Sequence, residues 1–144
     1  MAIDARAAYG AGRITPQRHL IAEVASSMPG AFSVEDLERA VRGTDAAAGQ
    51  ATVYRAVSAM LESGWLERVG ERDGSVLFAH CHAGPHHHHH VVCDVCGRIE
   101  ATECPVVVGP EQATADGFII TRHEVALYGL CPQCAAGATT GGRG

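Results

Sequence analysis

Apolar side chains in the first half of the chain recur at helical spacing in three stretches, each bounded by capping residues. In "TPQRHLIAEVASSMPG", Leu20, Ile21 and Val24 fall on one helical face. Thr15 is placed to cap this helix, Pro16 suits its first position, and Pro29-Gly30 ends it. "SVEDLERAVRG" repeats the pattern with Val34, Leu37 and Val41. Ser33 followed three residues later by Asp36 is a capping-box arrangement, and Gly43 stops the run. A third helix, from about Gly49 to Ser63, puts Val53, Val57, Met60 and Leu61 on one side. After Gly64 the pattern shortens. "WLERV" and "SVLFA" read as strands flanking "GERDG", whose Asp73-Gly74 favours a tight hairpin turn. Three short helices followed by a hairpin predict a winged helix.

Beyond residue 80 the chain changes character. Residues 81–144 hold all six cysteines and seven of the nine histidines. Three regions are expected: a winged-helix domain with a short N-terminal arm at 1–80, a metal-rich α/β piece at 81–135, and a disordered tail at 136–144. The tail lies within "AAGATTGGRG", which is small and Gly-rich. The fold class is therefore α+β. A hydrophobic content of 47% supplies a core, and no apolar run approaches the roughly 18 residues of a membrane span. "MAIDARAAYGAG" has no apolar stretch of signal-peptide length, so a cytoplasmic protein without membrane association is expected. In a reducing compartment, cysteines favour metal over disulfides. The net charge is −5 and lysine is absent, which gives no generic attraction to nucleic acid. Any DNA binding falls to local arginines.

The cysteine spacing is the strongest chemical signal. Cys93-x-x-Cys96 and Cys131-x-x-Cys134 are separated by 34 residues, two knuckles able to close one tetrahedron. Four thiolates make a closed structural zinc site with no open position for water. The second domain also needs a staple, because about 55 residues are too few for a core alone. Two disulfides are the alternative, disfavoured in the cytosol.

Five histidines, His86 to His90, stand just ahead of the first knuckle. Their internal position, with His80, Cys81 and His82 immediately upstream, argues against a purification tag. If "HHHHHVV" is extended, His86, His88 and His90 face one way and His87 and His89 the other. One run can therefore feed two sites. No His-Glu-x-x-His or similar open catalytic site is present, so an enzyme is not expected. In "GQATVYRAV", Gln50, Thr52, Tyr54 and Arg55 cluster at the N-terminal end of the third helix, opposite its apolar face. A DNA-recognition helix needs this arrangement; an ordinary amphipathic helix with a solvated side is the alternative.

"RITPQR", "ATVYRAV", "HHHHHVVCDVCG", "GF" and "GLCPQC" occur in the order seen in the ferric uptake regulator (Fur) family, over roughly residues 13–134. The chain resembles its zinc-sensing branch. That resemblance implies a homodimer with an N-terminal winged helix and a C-terminal α/β dimerisation domain stapled by zinc. It places Tyr54 and Arg55 on the reading helix and Arg13 and Arg18 near the phosphate backbone. It implies a regulatory site between the domains with Glu67, Cys81, His88 and His90 as ligands, a set whose sulfur suits Zn²⁺ over Mn²⁺ or Fe²⁺. His80 and His82 are possible replacements, and a small buried hydrophobe is the alternative role for Cys81. His87, His89 and His123 resemble a second site inside the dimerisation domain. There the chain departs from its relatives: Val108 stands where a carboxylate is expected, leaving Glu103, Glu111 or Cys104 to substitute.

The expected function is a metal-responsive, most directly zinc-responsive, repressor that binds an inverted-repeat operator in double-stranded DNA as a homodimer. It would carry one structural and one or two regulatory zinc ions per chain. A Fur-family sensor of iron, nickel, manganese or peroxide is the alternative within the family, and a His-rich metal carrier the alternative outside it.

Overall fold

The computed structural model describes residues 3–44, 48–80, 88–103, 116–120 and 123–140. Cys81, His82, His86, His87, Cys104, Val108 and Glu111 lie outside them. The chain begins with a short helix, α1 (Ala5–Tyr9), capped by Asp4. It is followed by α2 (Pro16–Ser27), α3 (Val34–Arg42) and α4 (Gln50–Glu62). The caps act as the sequence suggests. Thr15 Oγ1 accepts the Arg18 amide at 3.2 Å. Ser33 Oγ accepts the Asp36 amide at 3.1 Å while Asp36 Oδ2 accepts the Ser33 amide at 3.0 Å, a complete capping box.

Strands β1 (Leu66–Arg72) and β2 (Ser75–His80) pair antiparallel from Leu66↔His80 to Arg72↔Ser75, with a bulge between Arg68 and Gly70. Asp73 and Gly74 both have positive φ, 52° and 81°, the geometry of a two-residue turn that matches strand twist. Phe32 bridges Phe78 on β2 through two backbone hydrogen bonds, 2.9 and 2.8 Å. Three helices backed by this wing form a winged helix.

The core of this domain gathers Ile21, Leu37, Val41, Val53, Met60 and Leu66, all nearly inaccessible, with Tyr9 closing it from α1. The burial pattern corrects two details of the helical faces. On α2 the buried residues are Ile21, Ala22 and Ala25, while Leu20 is only half-buried. On α4, Ala56 takes a core position and Leu61 is marginal, because 53, 56, 57 and 60 define the tighter helical stripe. Ion pairs cover the outer side of α3 and the wing: Arg39–Asp36 at 3.4 Å, Arg42–Glu38, Arg68–Glu71 and Arg72–Asp36 at 2.9 Å.

The second domain is a three-stranded sheet ordered β4-β3-β5, where β3 is His89–Cys93, β4 Ile99–Thr102 and β5 Leu127–Gly129. β3 pairs antiparallel with β4 and parallel with β5. Helix α5 (Pro132–Thr140) follows. Residues 136–140 therefore continue a helix instead of joining the disordered tail expected from composition. Val69, Leu77 and Ala79 on the back of the wing pack with Val92 on β3, flanked by Ala31 and Ile99. This small apolar cluster joins the two domains. Among the described residues no helix is long and apolar enough to cross a membrane.

Candidate metal centres and DNA-reading surface

The end of β3, the turn after it and the start of α5 bring four cysteines together. Cys93 is buried on β3, Cys96 is exposed on the turn, Cys131 precedes α5 and Cys134 lies in its first turn. All four are free thiols, and their Sγ atoms lie within 4.8 Å of one another. Cys96 and Cys131 are 3.8 Å apart. A tetrahedron with metal–sulfur bonds of about 2.3 Å has edges of about 3.8 Å, so the donor set fits zinc in size as well as in chemistry. The Cys131 amide donates to Cys93 Sγ at 3.4 Å. With the Cys96 and Val95 amides it brings the Cys93 thiol down to about 6 against its desolvation. The Cys134 amide and thiol lower Cys131 in turn. Cys134 is pushed up to about 12, first by its hydrogen bond to Cys131 and then by desolvation. Negative charge thus collects on the first sulfurs until the last thiol resists ionising. A divalent cation relieves that conflict.

The histidine run divides by face. His88 and His90 both turn toward Glu67 on β1: His88 Nε2 is 3.5 Å and His90 Nδ1 3.6 Å from Glu67 Oε2. One ligand atom from each lies within 4.8 Å of the others. Tetrahedral edges for bonds of about 2.0–2.1 Å are about 3.3–3.4 Å, close to these separations. Burial lowers the His90 pKa, partly opposed by the Glu67 carboxylate, and His88 and His89 lower it further. The shift favours the neutral ring, the form that binds metal. Glu67 comes from the wing and the histidines from the second domain, so the cluster bridges the two.

His89 points the other way. Its Nε2 is 3.3 Å from His123 Nε2. These two histidines form a pair; among the described residues no third ligand completes it. His80, offered as a replacement ligand, stacks on Trp65 with ring centroids 3.9 Å apart and is not in the Glu67 cluster. Cys81 and His87, the remaining expected ligands, are outside the described residues.

On α4, Gln50 and Arg55 are exposed and Thr52 half-buried. Arg55 donates to the Thr52 hydroxyl at 3.4 Å. Tyr54 is 43% exposed and its hydroxyl donates to Glu35 on α3 at 3.4 Å. The Glu35 charge, followed by desolvation, raises its pKa. Gly49 at the N-cap makes no side-chain cap bond, leaving first-turn amides open to solvent or an anion. Arg13 is exposed, and its carbonyl accepts Arg18 Nη1 at 3.2 Å. The Arg18 guanidinium sits 5.1 Å from the Tyr9 ring centre. Tyr9 donates to the Arg18 carbonyl at 2.6 Å.

Sequence reasoning missed Tyr128. Its hydroxyl accepts the Glu71 amide at 2.6 Å, tying β5 to the wing. No spacing rule marks a tyrosine for such a contact.

A winged helix joined to a cysteine-bearing sheet, with carboxylate and imidazoles meeting between them, defines a metal-responsive DNA-binding regulator. Comparison with known proteins places it further. The profile of the ferric uptake regulator family matches residues 10–128. The peroxide operon regulator of Bacillus subtilis (strain 168) is 31% identical over 125 residues, covering 85% of this chain and 84% of the relative. The zinc uptake regulation protein of Escherichia coli (strain K12) is 32% identical over 125 residues, covering 85% and 72%. A solved zinc uptake regulator complexed with zinc and DNA aligns with TM-score 0.67 at 29% identity, covering 88% of this chain and 86% of that one. A zinc-bound manganese uptake regulator aligns with TM-score 0.55 at 28% identity, covering 83% and 91%. The chain belongs to the ferric uptake regulator family, and is a metal-responsive transcriptional regulator.

Proposed function

We propose that this regulator is a zinc-responsive repressor, binding an inverted-repeat operator as a homodimer when its interdomain site is loaded. The observation that carries the reading is the meeting of Glu67 from the wing with His88 and His90 from β3. A cation held there prefers whichever domain orientation brings the three together, and a ligand shifts an equilibrium only through such a preference. Inverting a 1:99 population needs about 5.5 kcal/mol, within reach of several inner-sphere bonds. Cys81 is the fourth ligand of this set. Cys93, Cys96, Cys131 and Cys134 hold a structural zinc, while His89 and His123, with His87, form a second and incomplete site. Gln50, Thr52, Tyr54 and Arg55 read the operator, and Arg13 and Arg18 hold its backbone. The similarity to a regulator solved with zinc and DNA supports this assignment.

A second reading has its own observation. The three ligands among the described residues are one oxygen and two nitrogens, a set that iron and manganese accept as readily as zinc. Sensing of one of those metals, or of peroxide through iron, follows if Cys81 is not a ligand. Titrating Zn²⁺, Fe²⁺ and Mn²⁺ separately into the protein, with binding to a duplex selected from a random pool as readout, distinguishes the two. Zinc should act at the lowest free concentration, and Cys81→Ser should remove that advantage. Equal responses to all three metals would sink the zinc assignment.

A further inference from the structure

Among the described residues, backbone amides of the winged helix are fastened to the second domain by two hydrogen bonds, and both lead to the four-cysteine knuckle. The first lies just after α2. A Cβ on Gly30 would stand 2.4 Å from the Gly97 carbonyl oxygen and 2.8 Å from its carbon. The neighbouring Ala31 amide donates to that oxygen at 2.8 Å. Gly97 is the residue that closes the Cys93–Cys96 turn. Its amide donates to the Cys93 carbonyl at 2.9 Å, and its φ of 75° demands a glycine. The aim of the Gly97 carbonyl is therefore set by the knuckle.

The second contact is on the wing. Tyr128 accepts the Glu71 amide directly over Gly70, where a Cβ would be 2.7 Å from the phenolic oxygen. The next residue, Gly129, accepts the Asp94 amide at 2.9 Å, inside the same knuckle turn. Between the two contacts lies the cluster of Val69, Leu77, Ala79 and Val92.

We propose that the Gly30–Gly97 junction, seconded by Tyr128 over Gly70, is a coupling contact that lets the four-cysteine knuckle set the position of the DNA-reading domain. Gly30 and Tyr128 are positioning residues, outside both metal-ligand clusters. DNA affinity then depends on the knuckle through this junction as well as on the Glu67–His88–His90 cluster. The inference rests on the reading of the chain as a metal-dependent DNA-binding protein.

Gly30→Ala tests it cleanly. Gly30 does not occupy the left-handed region, so alanine adds only the methyl that the Gly97 backbone cannot accommodate. Gly43→Ala is the control, since a Cβ there meets Ala40 O at an ordinary 3.5 Å. The protein is loaded with Co²⁺ to read the thiolate-to-metal absorption of the knuckle. It is then loaded with Zn²⁺ and titrated onto a labelled duplex that the wild type has selected from a random pool. Gly30→Ala should keep the cobalt spectrum and a cooperative melt, at a temperature lowered by the displaced junction, while losing about tenfold or more in DNA affinity. Gly43→Ala should match wild type throughout. Binding by Gly30→Ala within about twofold of wild type overturns the proposal.

Should Gly30→Ala instead lose its cobalt spectrum, Tyr128→Phe decides, because it keeps the ring and removes only the accepting oxygen. A smaller loss of DNA affinity with a wild-type cobalt spectrum supports the coupling, and unchanged affinity overturns it. A wild type that binds DNA equally with and without zinc would fail the functional reading itself, a different outcome from either.

Discussion

Replacing Glu67 by glutamine preserves shape and removes the only ligand that the wing contributes among the described residues. The side chain is 38% exposed, so without metal its attraction to the histidines is worth at most about 1 kcal/mol. The strand is held at this point by the backbone pairing Glu67↔Ala79, which glutamine leaves alone. Melting in the presence of a chelator should therefore change little. With metal the result differs. Losing a carboxylate that merely supports a ligand already lowers metal affinity about 10- to 100-fold. Losing one positioned 3.5 and 3.6 Å from its two partner ligands should reach the upper end. At about 1.4 kcal/mol per decade, that is about 2.8 kcal/mol. The free zinc needed for half-maximal DNA binding, measured by anisotropy in zinc-buffered solution, should rise about 100-fold. An unchanged midpoint would show that the Glu67 cluster is not the site through which metal reaches DNA.

The remaining expectations follow from the same geometry. Cys93→Ser combined with Cys131→Ser should abolish the zinc that survives a chelator, measured by elemental analysis, and unfold the second domain, because structural zinc contributes about 10–16 kcal/mol; retained zinc refutes the four-cysteine site. His88→Ala should mimic Glu67→Gln, whereas His89→Ala and His123→Ala should have a separate, milder effect on zinc stoichiometry; equal effects from all three would refute the division by face. Arg55→Ala should weaken operator binding by about 1–3 kcal/mol at constant metal content, since Arg55 is far in role from both clusters, and undiminished binding removes the basis for calling α4 the reading helix. Asp36 is pushed up by burial, but the Ser33 amide and hydroxyl, Arg72 and Arg39 outweigh this and hold it below the usual carboxylate range. Its stabilisation is therefore present above about pH 4 and lost as pH falls through the lower folded value. Asp36→Asn should cost about 1 kcal/mol near neutrality, a gap that closes in acid; a gap constant from pH 2 to 7 in urea melts would contradict the capping-box assignment.

What could be read in advance was what carries a local signature. Thr15, Ser33 and Asp36 mark helix starts because their side chains satisfy amides within three residues. Asp73-Gly74 marks the turn because both residues must take positive φ. The cysteine pairs and the alternation of His88, His89 and His90 are equally local. Helix α1 escaped because five residues, "ARAAY", are too few to show a period. Ala22, Ala25 and Ala56 escaped because alanine gives little hydrophobic contrast even where it fills the core. The interdomain cluster and Tyr128 escaped for a deeper reason. Val69 and Val92, or Glu71 and Tyr128, meet only through tertiary packing across a long sequence separation. The helical run through Thr140 was hidden by its composition of small residues, which resembles a linker.

The carboxylates that hold Arg39, Arg42, Arg68 and Arg72 have a consequence for how this protein meets a chromosome. Counterion release from DNA scales with the cations that a protein brings to phosphates. With those four arginines engaged and lysine absent, Arg13 and Arg18 are the expected phosphate contacts, about four in a dimer. The logarithm of affinity should then fall against the logarithm of salt with a slope of about −4, less than half that of a strongly basic repressor. Random sequence would hold such a dimer only weakly, and sliding along DNA would contribute little to its search. Operator occupancy would track the supply of metal-loaded protein more closely than the ionic strength of the cell.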